Sequence, residues 1–330
     1  MIDDFEYMSD SESEGLCLEN LPSSRSMGDL SSVEIDYLNE VKDNKGAYES
    51  RLEELGINNI ENVSHSSDFI ENYDDNLPSL DDVKEIVNNG QEITDLKESY
   101  PEIAQYVACL QDRLDNNDYA LSIKAYKSEN GTIVLKGFDE RPNEQSNYAV
   151  IKGQDIYCYS GNAKGDGHLN EFINNTDGMI PNSRYHLENA TYVTDNLGRV
   201  SDTYEHHVTE RPIDRNDSRC ELKSVADAKD GLPNDVGGHI VAHNVDGATE
   251  AINIVAMDEE FNNCGEWKSM ESDIQDAYMN HVDCYVHKHL EYDGNTQRPS
   301  HIDVQYEIGG VTSNKSFNMP YGGSMSCECE

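Results

Sequence analysis

The chain has 330 residues, 65 of them acidic and 24 basic, for a formal net charge of −41; 36 % are hydrophobic. That length has room for one to three domains, and no apolar run approaches the roughly 18 residues of a membrane helix. The opening Met1-Ile2-Asp3-Asp4-Phe5-Glu6 lacks the basic and apolar regions of a signal peptide, so export would need a dedicated secretion apparatus or a fusion partner.

The acidity is spread along the chain. Residues 1–100 hold 26 acidic and 6 basic side chains, and the remainder hold 39 and 18. Binding a polyanion normally draws on Lys and Arg to displace counterions, so this composition disfavours nucleic acid as a partner of the whole surface. A cleft only a few residues wide can still be locally positive, and Arg211, Arg215, Arg219 and Lys223 are candidates for that. Eight scattered cysteines with no CxxC pair fit free thiols in a reducing compartment better than a disulfide framework.

In chain order, residues 1–30 are rich in Ser and acids and poor in large apolar groups, which predicts disorder. Val33, Tyr37, Leu38 and Val41 share a helical face that Asn44 and Gly46 interrupt. Residues 56–80 read as polar loop. Ser79-Leu80-Asp81-Asp82 predicts a helix start, with acids in the first turn. Helices follow to about Leu114, broken near Gly90 and Pro101, with an apolar stripe of Ile103, Tyr106, Val107 and Leu110. This segment reads as a small helical docking bundle, or as an adaptor for a carrier.

From Tyr119 the period changes to two. Leu121–Tyr126 and Thr132–Leu135 flank Ser128-Glu129-Asn130-Gly131, a hairpin signal. Tyr148–Ile151 and Ile156–Tyr159 suggest a second pair. The region is either a small β module or an extension of the sheet that follows, and Gly- and Asn-rich residues 160–175 read as linker.

In the second half, His206-His207 reads as a surface pair. Gly237-Gly238 predicts a sharp backbone turn that sets His239 near a strand end. Ile240-Val241-Ala242 reads as a short buried strand, which would carry His243 away from His239. Gly265 to about Tyr278 reads as a helix, with Trp267, Met270 and Ile274 on one face and Glu271 close to it. A strand and a following helix would then present an imidazole and a carboxylate to a common point. Taken alone, these residues also fit a glycine turn with a surface histidine and polar asparagine loops. His281, Cys284, His287 and His289 have zinc-like spacing, yet Val282, Cys284 and Val286 alternate as a strand would. Lys223 and Lys268 are candidate phosphate contacts, with solvated lysine as the default.

Several blocks of this half occur in an order that resembles the DNA/RNA non-specific endonucleases of the ββα-metal superfamily, in their bacterial polymorphic-toxin branch. They are Ile180-Pro181-Asn182 and Tyr192–Val200 as opening strands, Asn234–Ala242, Glu250–Asp258, Gly265–Glu271, and Tyr292–Asn295 with Arg298-Pro299-Ser300 as a closing segment. The resemblance covers roughly residues 175–320. It implies that His239 is the general base, Asn263 the direct Mg²⁺ ligand (Mn²⁺ a possible substitute), and Asn253 and Glu271 the residues that orient the metal's water shell or the base. It also implies that Arg215 stabilises the pentacovalent state. Val236 departs from the family, which often has Asp or Arg there. Asn262 competes with Asn263: it lies nine residues after Asn253, whereas Asn263 lies four before Trp267.

The expected fold class is α+β. An antiparallel sheet with flanking helices forms a nuclease domain at 175–330, behind an acidic and largely disordered segment at 1–80. A helical segment at 81–117 and a small β region with linker at 118–174 lie between them. The expected function is metal-dependent cleavage of DNA and RNA by an antibacterial toxin, with a cognate immunity protein as partner and a secretion adaptor bound through residues 1–115. The rivals are a catalytically silent binding protein on the same fold and a nuclease that is never exported.

Overall fold

The computed structural model describes residues 78–116, 121–139, 146–159, 170–187, 190–207, 219–280 and 282–320. The expectations for residues 1–77, and those for Arg211, Arg215 and His281, lie outside the described residues.

The first described helix, α1 (Leu80–Asn89), starts where the sequence signal lies. Ser79 Oγ accepts from the Asp82 N–H at 3.1 Å, and the Asp82 carboxylate accepts from the Ser79 N–H at 3.2 Å. This reciprocal pair satisfies two N–H groups that a helix start leaves open. The chain turns at Gly90, and Pro101 opens α3 (Pro101–Asn116) after the one-turn α2 (Leu96–Ser99). The α3 stripe is not a docking face. Ile103, Tyr106 and Leu110 are buried in the main core, and the Tyr106 hydroxyl donates to the Phe172 carbonyl.

Both predicted hairpins form: β2 (Leu121–Lys127) with β3 (Ile133–Asp139), and β4 (Asn147–Lys152) with β5 (Asp155–Tyr159). Gly131 closes the first turn at φ +88°, a backbone conformation open to glycine at little steric cost. The hairpins do not stand alone. They extend one 11-stranded sheet in the order β1 (Gln91–Glu92), β2 to β5, β6 (Arg184–His186), β7 (Ala190–Thr194), β8 (Val200–His207), β11 (Cys284–Tyr292), β12 (Pro299–Ile308) and β13 (Val311–Asn318). The join is the parallel pair β5–β6, where Asp155 accepts two hydrogen bonds from Arg184 at 2.8 and 2.9 Å and lies 2.8 Å from His186 Nε2.

Strand alternation places Cys284, Val286 and Lys288 on the buried side of β11, and His287 and His289 on the other, beside Asp202. Cys284 therefore cannot join those histidines around a zinc ion. Among the described residues, no group of three His, Cys, Asp or Glu side chains is arranged to hold a metal ion. Nor is His206-His207 a surface pair. His207 is buried, with Nε2 2.9 Å from Glu205 Oε2, and His206 stacks on Tyr285 with ring centroids 4.1 Å apart. No disulfide joins the described cysteines Cys109, Cys158, Cys264 and Cys284. No described helix is long and apolar enough to cross a membrane.

A separate two-stranded sheet, β9 (Asp235–His239) with β10 (Ile254–Asp258), carries α4 (Arg219–Ala228) on one side. Gly237 and Gly238 lie within β9 and make no turn. A Cβ on Gly237 would run into the Leu222 backbone of α4, and one on Gly238 would sit 2.7 Å from Met257 Sδ. They are glycines because helix and strand approach on both sides. Gly237→Ala is therefore expected to destabilise by about 1–3 kcal/mol through overpacking, read as a lowered urea midpoint; an unchanged midpoint would mean that α4 yields without cost.

Candidate active site

β9 brings His239 to its final position, paired with Ile254 of β10. The start of β9 is anchored by a buried ion pair in which Asp235 accepts from Arg298 at 2.6 and 3.1 Å. The two residues stand in separate sequence blocks, 63 positions apart, and periodicity cannot pair them.

Beyond His239 the predicted strand is absent. Ile240 and Val241 are buried but leave the ladder, and a one-turn 3₁₀ helix follows at His243–Val245. Asn253 causes this departure. Its Oδ1 accepts from the Val241 N–H at 2.7 Å, and its Nδ2 donates to the Val241 and Ala248 carbonyls at 2.9 and 2.8 Å. Its carbonyl accepts from the Ile240 N–H at 2.8 Å. The buried Lys229 ammonium donates to the Ala251 and Ile254 carbonyls on either side of Asn253, the latter at 2.7 Å. Asn253 is thus fully buried and engaged with backbone. It shapes the loop after His239 and does not reach solvent in the pocket.

The opposite wall comes from α5 (Glu259–Asn263) and α6 (Gly265–Met279). Asp258 caps α5, accepting from the Glu260 and Phe261 N–H groups at 3.1 Å each. Gly265, at φ +69°, permits the bend into α6, whose Trp267, Met270, Ile274, Ala277 and Tyr278 enter the core.

Between these walls lies a cavity of about 140 Å³, lined by His239, His243, Asn262, Asn263, Lys268 and Glu271 among others. Three of the five residues singled out from sequence therefore meet there: His239, Asn263 and Glu271. Asn253 stands behind the wall, and Arg215 is outside the described residues. The sequence reading set His243 aside as carried away by a strand, yet its ring centroid is 5.7 Å from that of His239. The clue was the four-residue spacing, hidden by a run that looked like strand. On the rim, Asn244 Nδ2 donates to Gln275 Oε1 at 2.9 Å, tying the 3₁₀ turn to α6.

The donors suit a hard cation. Asn263 Nδ2 donates to the Glu259 carbonyl at 2.9 Å, which leaves its Oδ1 as the atom that could hold a cation. The Asn262 amide rests against the bare face of Gly238. Amide oxygens and a nearby carboxylate match the oxygen preference of Mg²⁺. Burial lifts the Glu271 carboxyl above its usual range, although Lys268 Nζ, 3.6 Å away, pulls the other way.

Residues 181–310 match the family model for DNA/RNA non-specific endonuclease. A stretch of 124 residues is 30 % identical to the Type VII secretion system protein EssD of Staphylococcus aureus strain USA300, and to that of strain NCTC 8325 / PS 47. It spans 36 % of this chain and 20 % of those relatives, so the match reaches about a fifth of their length. Two crystal structures of NucA from Streptococcus agalactiae are also similar, each at 14 % identity and a TM-score of 0.30. The one with no metal bound covers 44 % of this chain and 75 % of its own, and the one with magnesium bound covers 64 % and 90 %.

Proposed function

We propose that this domain is a Mg²⁺-dependent endonuclease that hydrolyses DNA and RNA phosphodiester bonds without sequence preference. The observation that carries this reading is the meeting of His239, Asn263 and Glu271 around one cavity, within the segment that matches the endonuclease family. On this reading β9, β10 and the helices α5 and α6 make up the ββα-metal arrangement.

His239 takes the proton from the attacking water, a task that imidazole performs near neutral pH. Asn263 Oδ1 would hold Mg²⁺ directly, with Asn262 beside it. When bound, the cation offsets the negative charge that builds on the phosphate during displacement. Glu271 orients the water or the base from the α6 wall. Lys268 contributes positive charge at the same cavity, and Arg215 stabilises the pentacovalent state. Asn253 holds His239 in place through the loop that follows it. The products carry 5′ phosphates.

The same reading makes the chain an antibacterial effector, delivered by a dedicated secretion system and neutralised in its producer by an immunity protein. Support comes from the relatives named as Type VII secretion system proteins, across the fifth of their length that matches. Docking to a carrier would use residues 1–115 outside the buried α3 stripe. One rival is favoured by a specific observation: the charge of −41 suits a catalytically silent binding protein.

The test is nicking of supercoiled plasmid and degradation of RNA by the purified chain at low salt. Cleavage should require Mg²⁺ or Mn²⁺ and stop with EDTA. No turnover with either metal would overturn the enzyme reading and leave the silent binding protein.

A further inference from the structure

We propose that His243 is the general acid of this site, protonating the 3′ oxygen as it leaves phosphorus. The proposal rests on the nuclease reading and assigns a proton donor to the same cavity.

Two imidazoles line this cavity, with ring centroids 5.7 Å apart and planes inclined at 54°. That separation is within the reach of a single phosphodiester group, so each ring can serve a different oxygen of it. Both are half-buried, and both are held by backbone architecture. His239 ends a paired strand. His243 opens a 3₁₀ turn whose Val245 is fully buried, and two amide hydrogen bonds of Asn253, both to Val241, fix the loop between the two histidines. The contact of Asn244 with Gln275 anchors the turn to α6. A histidine that merely faced solvent would not need this framework, and a core histidine would not open onto the cavity that holds Asn263 and Glu271.

The chemistry needs two partners for protons. As water attacks, its O–H bond breaks and an O–P bond forms, and His239 takes the proton. As the P–O3′ bond breaks, the departing alkoxide takes a proton from His243. His239 ends protonated and His243 neutral, and exchange with solvent restores both. A sugar hydroxyl is a poor leaving group without that proton, whereas p-nitrophenolate departs unaided.

The experiment compares wild type, His239→Ala and His243→Ala on plasmid DNA and on bis(p-nitrophenyl) phosphate, both with Mg²⁺. His243→Ala should lose roughly 10²-fold or more in kcat on DNA, the scale of general acid catalysis, and keep its rate on the p-nitrophenyl ester. That retained rate also shows that the variant is folded. His239→Ala should lose both activities. Wild-type DNA cleavage left intact in His243→Ala, or equal losses on both substrates in that variant, would overturn the assignment while the nuclease reading stands. Wild-type failure on both substrates would instead remove the nuclease reading itself.

Discussion

His239→Ala should cleave plasmid DNA and RNA roughly 10²–10⁴-fold more slowly than wild type, the range expected on losing a general base. The protein should remain folded. His239 ends β9 at the lip of the cavity, outside the hydrophobic core cluster, and its backbone pairing with Ile254 does not depend on its side chain. Alanine at this position therefore removes an imidazole without opening a core void. Initial rates with Mg²⁺, together with a thermal midpoint on the same sample, check both halves of the expectation. Rates within a few-fold of wild type would take the base role away from His239. A collapsed midpoint would show that the residue holds the fold.

The second large effect concerns stability. On the buried side of β8 and β11, the Lys288 ammonium donates to the Glu205 carboxylate, whose other oxygen lies 2.9 Å from His207 Nε2. Lys288, Glu205 and His207 are all almost wholly buried. Removing one charge strands the other in a low-dielectric interior, so Lys288→Met alone is expected to cost about 3–5 kcal/mol. The double change Glu205→Leu with Lys288→Met should recover most of that loss, because neither charge remains. Urea unfolding of the two variants measures the difference; equal midpoints for Lys288→Met and wild type would show that water reaches the pair.

The pair also sets a direction with pH. Burial alone would raise the Glu205 carboxyl, but the charge of Lys288 and the hydrogen bonds from His207 and Lys288 outweigh it and hold Glu205 below the usual carboxylate range. A carboxyl whose folded pKa is depressed stabilises the fold fully above its unfolded pKa of about 4.3, and that contribution is lost as pH falls through the lower folded value. Asp202, held down despite its burial by His287 and His289, acts in the same sense. The urea midpoint should therefore fall steeply below about pH 4.3 in wild type, and less so in the double variant.

Local signals were legible wherever a short stretch of chain decides the outcome. Ser79 with Asp82 announced a helix start, Asn130-Gly131 a hairpin, and Trp267, Met270 and Ile274 the buried face of α6. The α+β class and the juxtaposition of His239, Asn263 and Glu271 followed from blocks of sequence in a familiar order. The glycine pair was visible but its reason was not: Gly237 and Gly238 answer to Leu222 and Met257, which only folding brings alongside.

By itself, then, the sequence determined which residues are chemically able to serve the site and which segments turn, alternate or coil, because those properties depend on neighbours a few positions away. Tertiary structure decided the rest. It joined the N-terminal hairpins to the main sheet through Asp155 and Arg184, buried Lys288 against Glu205 across 83 positions, and turned the Asn253 amide onto the loop that swings His243 back beside His239. The last two depend on a buried polar group finding a partner outside its own stretch of chain. Such a group gives no periodic signal, because its position is set by the cost of leaving a donor, acceptor or charge unpaired away from water.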